Sequence, residues 1–207
     1  MFKNLAFALA IIICGSGFAV AQDDGFASMF NGENLLGWHA NEHFDSCRVE
    51  DGCIVVNGER AHLFYVGPTG HADYKNFHLK AKVNTTPGSN SGIYFHTHFL
   101  DEGWPNTGYE CQVNNTQSDP KKTGGLYAVL DNFEAPVADN EWFDYEVIVE
   151  GKHIEIKING KTISDYTEPD DLDRPERHLS SGTFALQAHD PGSKVFYKDL
   201  MVKRLAD

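Results

Sequence analysis

Two stretches in which polar and apolar side chains alternate constrain the fold more than any other feature. They are Ser89-Asn90-Ser91-Gly92-Ile93-Tyr94-Phe95-His96-Thr97-His98 and Gly108-Tyr109-Glu110-Cys111-Gln112-Val113-Asn114-Asn115. Successive side chains of a strand point to opposite faces, so a period of two marks each stretch as a strand. In the first, Ile93 and Phe95 share one face, and Tyr94, His96 and His98 share the other. In the second, Tyr109, Cys111 and Val113 lie opposite Glu110, Gln112 and Asn114. Set side by side in one sheet, the two polar faces make a patch of imidazole, carboxylate and amide groups, which is chemistry suited to a carbohydrate.

Shorter strands repeat the pattern along the chain. Phe77, Leu79, Ala81 and Val83 alternate with His78, Lys80 and Lys82. Arg48-Val49 and Cys53 to Val56 flank the turn Glu50-Asp51-Gly52, with Val49 expected opposite Cys53. His62 to Val66, Thr183 to His189 and Val195 to Lys203 read as strands. Trp142 to Gly151 pairs with His153 to Lys161, which an Asn-Gly turn ends, and Tyr166 to Ser181 reads as loop. With no amphipathic helix, this spacing predicts an all-β sandwich of two antiparallel sheets, a jelly roll.

The first residues are of another kind. Lys3, the apolar run Leu5 to Cys14 and the small-residue site Ala19-Val20-Ala21 read as a secretory signal peptide over residues 1–21. Export to the periplasm, cell surface or medium is the expectation, leaving residues 22–207 as one domain. The apolar run is short for a membrane span, and no other run approaches one. A net charge of −13, from 17 Lys and Arg against 30 Asp and Glu, argues against nucleic acid or anionic membrane as a partner. Beyond the signal three cysteines remain, so at most one bridge forms within the chain. Cys47 and Cys53 flank a turn and either pair or stay reduced, while Cys111 reads as a buried small hydrophobe.

Several segments occur in an order that resembles a known family. They are Phe30-Asn31-Gly32 through Gly37-Trp38, Val49-Glu50-Asp51-Gly52, Asn90-Ser91-Gly92-Ile93, and Gly108-Tyr109-Glu110 with Gln112. Thr123-Gly124-Gly125-Leu126-Tyr127, Glu141-Trp142, and Leu186-Gln187 with His189 complete the set. Together they resemble the 3-keto-disaccharide hydrolase family across the mature chain. The resemblance implies a concanavalin-like jelly roll with one concave sheet, and hydrolysis or elimination at 3-keto-glycosides. This chain departs from the family at His96, where arginine is common, and at His62-Leu63-Phe64-Tyr65.

On one strand face Glu110 is followed by the amides Gln112 and Asn114, so the two carboxylates of an ordinary glycosidase are not both there. A 3-keto sugar needs only a base for its acidified C2 proton, a proton donor, and a group to stabilise the enolate. Glu110, His96, His98 and His189 are the candidates for these catalytic roles. Asn90, Ser91, Gln112, Asn114, Tyr127 and Trp104 are candidates to bind the sugar. His96, His98 and Glu110 also form a possible divalent-metal set. The alternatives are a non-catalytic carbohydrate-binding module, which needs aromatic platforms but no base, and a structural or adhesion domain.

Overall fold

The computed structural model describes residues 24–68, 70, 72–174 and 177–207. The expected signal peptide lies outside them. Thirteen strands occur among the described residues. In chain order they are β1 (Ala27–Ser28), β2 (Trp38–Ala40), β3 (Cys47–Glu50), β4 (Cys53–Val56), β5 (Ala61–Tyr65), β6 (Phe77–Thr85) and β7 (Asn90–Thr97). There follow β8 (Tyr109–Asn114), β9 (Phe143–Glu150), β10 (His153–Ile158), β11 (Lys161–Thr167), β12 (Thr183–Ala188) and β13 (Val195–Arg204). No helix among the described residues is long and apolar enough to cross a membrane.

The strands form an eight-stranded sheet in the order β11-β10-β9-β6-β13-β4-β3, with β1 on β13, and a five-stranded sheet β2-β5-β12-β7-β8. All pairings are antiparallel, as the alternation requires. In the larger sheet one face is buried and the other wet: β6 buries Phe77, Leu79, Ala81 and Val83, and β9 buries Phe143, Tyr145, Val147 and Val149. These side chains meet Ile93, Phe95, Tyr109, Cys111, Val113, Phe184 and Leu186 of the smaller sheet in one core.

The smaller sheet is buried on both faces. Every residue of β5, β7, β8 and β12 is buried, polar ones included. Burying a polar group without a partner is costly, so a polar second face covered by loops marks a place where something other than packing is served.

Two local expectations are corrected, and one left open is settled. The turn of the β3–β4 hairpin is Asp51-Gly52 alone, both with positive φ, so Glu50 rather than Val49 faces Cys53 and Cys47 faces Val56. Cys47 and Cys53 therefore point to opposite faces, and both are reduced, as is Cys111. After the Asn159-Gly160 turn the chain continues as β11, where a loop was expected from Tyr166 on. As an edge strand with mostly exposed side chains, β11 lacks the apolar alternation that would reveal it.

Candidate active site

Strand register builds the site. Tyr94 lies opposite Glu110 and Gly92 opposite Gln112, while Ala185 lies opposite both Tyr94 and Phe64. One row across the smaller sheet therefore reads Phe64, Ala185, Tyr94, Glu110. The next carries His62 beside Gln187 on one side and Gly92 beside Gln112 on the other. Gly92 is required by space rather than by backbone angle. A Cβ there would sit 2.4 Å from Glu110 Oε1, so the glutamate side chain lies across bare backbone. From there its Oε1 accepts a 3.0 Å hydrogen bond from Gln187 Nε2, which also donates to the Tyr94 hydroxyl at 3.0 Å.

Above these rows lies a cleft of about 220 Å³. Its floor is Asn90, Tyr94, Glu110, Gln112 and Gln187, and its walls are loop residues: Trp104, Asp119, Tyr127, Arg177 and His189. Trp104 is 45% exposed and offers its ring to the cleft, backed by His62 and His189 at centroid distances of 5.3 and 5.8 Å. Tyr127 also lines the cleft, with Lys121 Nζ 3.9 Å from its ring centroid, while Leu126 goes to the core.

Electrostatics divide the charged groups. Glu110 is only 4% exposed, and burial pushes its pKa above the usual carboxylate range, against the opposing pull of Tyr94, Arg177, Gln187 and His189. Burial, with the Glu110 charge beside it, drives the Tyr94 hydroxyl well up. His189 Nδ1 is 2.7 Å from Asp190 Oδ2, a pairing that orients the imidazole and leaves Nε2 for proton transfer. Arg177 has no carboxylate salt-bridge partner among the described residues. Two buried side-chain acceptors facing this region, Gln112 Oε1 and Gln187 Oε1, have no hydrogen-bond partner. Both amide protons of Gln187 are committed, so its oxygen is left to receive a donor such as a sugar hydroxyl.

Glu110, Gln112, Asn90, Tyr127, Trp104 and His189 thus come together, and four expected residues do not. His96 is the extra residue of a β-bulge: Thr97 and Phe95 pair with consecutive residues of β12, and His96 has a φ of 53°. The bulge turns its ring against Phe77 and Phe95, outside the cleft. His98 lies past the end of β7, exposed to solvent. Ser91 faces the core, where its hydroxyl bonds Gln187 O at 2.6 Å and Tyr197 Oη at 2.7 Å. Asn114 is spent on the following loop: its Nδ2 donates to Asp119 O and Lys121 O, and its Oδ1 accepts from Gln117 N. With His96 and His98 elsewhere, the metal set disperses, and among the described residues no three His, Cys, Asp or Glu gather as ligands.

Sequence reasoning placed Tyr94 on the right face without naming it for the site, and held Gln187 only within a motif. Asp119 and Arg177 were missed, since each comes from a loop without periodicity. Lys122 staples the loop that carries Asp119, its Nζ donating to Gln117 O and Asp119 O.

Comparison with known proteins gives the family and the fold. The sequence profile described as a 3-keto-alpha-glucoside-1,2-lyase-like domain matches residues 25–203. A 3-keto-disaccharide hydrolase of Bacteroides thetaiotaomicron is 32% identical over 79 residues, 35% of this chain and only 27% of that protein. Among solved structures, a protein of Parabacteroides distasonis assigned as a glycosyl hydrolase superposes with a TM-score of 0.74 at 25% identity, covering 88% of this chain and 94% of that one. Carbohydrate-binding module CBM66 of Bacillus subtilis shares the fold, with a TM-score of 0.58 at 12% identity over 81% of this chain and 95% of the module. Matched over most of its length, the chain belongs to the carbohydrate-active family of 3-keto-alpha-glucoside-1,2-lyase-like domains.

Proposed function

We propose that this chain is an exported enzyme that cleaves 3-keto-glycosides by removing the C2 proton and expelling the C1 substituent. One observation carries the reading. A single buried carboxylate, Glu110, sits beside unpartnered amide oxygens, a cation and an oriented histidine.

The ketone at C3 makes the C2 proton acidic. Glu110, ionised, takes that proton, and the C2–H electron pair moves into an enolate whose oxygen was the C3 carbonyl. Arg177 supplies positive charge for that oxygen. The enolate then collapses: the C3 carbonyl re-forms, a C1–C2 double bond forms, and the C1–O bond breaks. His189 gives the leaving oxygen its proton, with Asp190 stabilising the imidazolium beforehand. Addition of water across the new double bond would turn the same path into net hydrolysis. Gln112, Gln187 and Asn90 hold sugar hydroxyls, and Trp104 packs on a sugar face.

A second acid, Asp119, also lines the cleft, but its Oδ1 accepts the Lys121 N–H at 2.9 Å, which ties it to its own loop. The test offers the enzyme a chromogenic 3-keto-glucoside and the parent glucoside. Release from the ketone alone is expected. Equal release from the parent would replace this mechanism with a two-carboxylate one using Asp119. Binding of both without release would leave a carbohydrate-binding module.

A further inference from the structure

His96 is fully enclosed, yet it makes two well-formed hydrogen bonds, both to backbone of other segments. Its Nδ1 accepts the Ser180 N–H at 3.2 Å, so Nε2 carries the proton and donates to Lys75 O at 2.8 Å. One residue before Ser180, the Leu179 N–H donates to Glu168 Oε2 at 2.6 Å, and the Tyr109 hydroxyl donates to the same oxygen at 2.5 Å. Beyond Ser180 the chain is fixed by paired bonds between Tyr74 and Gly182, at 2.7 and 3.1 Å. The bulge at His96 is itself enclosed by two glycines. A Cβ on Gly182 would lie 2.5 Å from Thr97 O, and one on Gly108 2.0 Å from Phe95 O.

These contacts converge on backbone two and three residues after Arg177, which lines the cleft and whose charge acts on Glu110. The extra residue of the β7 bulge is thus the one that binds the segment after Arg177. We propose that His96 is a positioning residue for Arg177, acting with Glu168 through the backbone of Leu179 and Ser180. The assignment rests on Arg177 being the cation of the proposed reaction. It replaces a catalytic role for His96 with an indirect one, since the imidazole touches neither the cleft nor Glu110.

The test combines a double-mutant cycle with proteolysis of the folded protein. His96→Phe keeps a ring against Phe77 and Phe95 and removes both hydrogen bonds. It is expected to lower kcat/KM roughly 10- to 100-fold, the scale of a displaced positioning contact. In an Arg177→Ala background the same change should cost less than about twofold, because coupled residues are not additive. Trypsin should cut the folded His96→Phe protein after Arg177 about tenfold faster than wild type, since local opening governs such cleavage. Glu168→Gln, which weakens the second grip, should shift both readouts the same way and serves if His96→Phe does not fold. Equal losses in both backgrounds, or an unchanged cut after Arg177, would overturn the proposal. If no 3-keto-glycoside is turned over at all, the functional reading fails, and the tryptic arm still decides whether His96 holds this segment.

Discussion

Glu110→Gln is expected to lower kcat/KM on a 3-keto-glucoside by about 10³- to 10⁴-fold, near the upper end for loss of a general base. The amide preserves the shape of the side chain above Gly92 and still accepts from Gln187, so the cleft should remain formed. In the wild type, kcat/KM should fall with acidity through an apparent pKa above the ordinary carboxylate range, because burial raises it and the base must be ionised. The same shift fixes the sign of the stability change. A carboxyl whose folded pKa exceeds its unfolded value binds protons more tightly when folded. Its contribution is favourable below the unfolded pKa and is lost as pH rises through the folded one. At neutral pH Glu110→Gln should therefore raise the urea midpoint while turnover collapses. A variant that kept turnover, or lost both turnover and stability, would remove Glu110 from the role of buried base.

Arg177→Ala is the second large expected effect, a loss of about 10²- to 10³-fold in kcat/KM, the scale for deleting one stabilising donor at a developing oxyanion. The loss should fall mainly on kcat, because the enolate charge exists only after the proton has moved. Arg177→Lys should recover only part, since an ammonium carries the charge without the planar fork of donors. Michaelis–Menten parameters on one chromogenic substrate separate the outcomes. A variant that raised KM and left kcat intact would make Arg177 a substrate-binding group instead.

The strand pair at the heart of the site was legible because alternation in two adjacent strands also fixes which side chains share a face. That Tyr94 shares one face of its strand with polar neighbours, and Glu110 one face with Gln112, follows from the period, while the register that sets Tyr94 opposite Glu110 comes only with the fold. Ser91 shares the face of Ile93 and Phe95, so the alternation itself sends it to the core, where its hydroxyl meets Tyr197. His96 went astray because one bulged residue cancels the alternation, and nothing in Phe95-His96-Thr97 announces a positive φ. Asn114 kept its expected face but was claimed by the loop that follows it. Arg177, Asp119 and Trp104 reach the cleft from loops, where side-chain direction depends on tertiary anchors such as Glu168 rather than on any local repeat.

The most direct measurement is the isotope effect of deuterium at C2 of a chromogenic 3-keto-glucoside. If Glu110 removes that proton on the way to C1–O cleavage, kcat/KM should drop several-fold for the deuterated sugar. Release at the same rate from both isotopologues, with the deuterium retained at C2 in the product, would contradict proton abstraction as the route to bond cleavage.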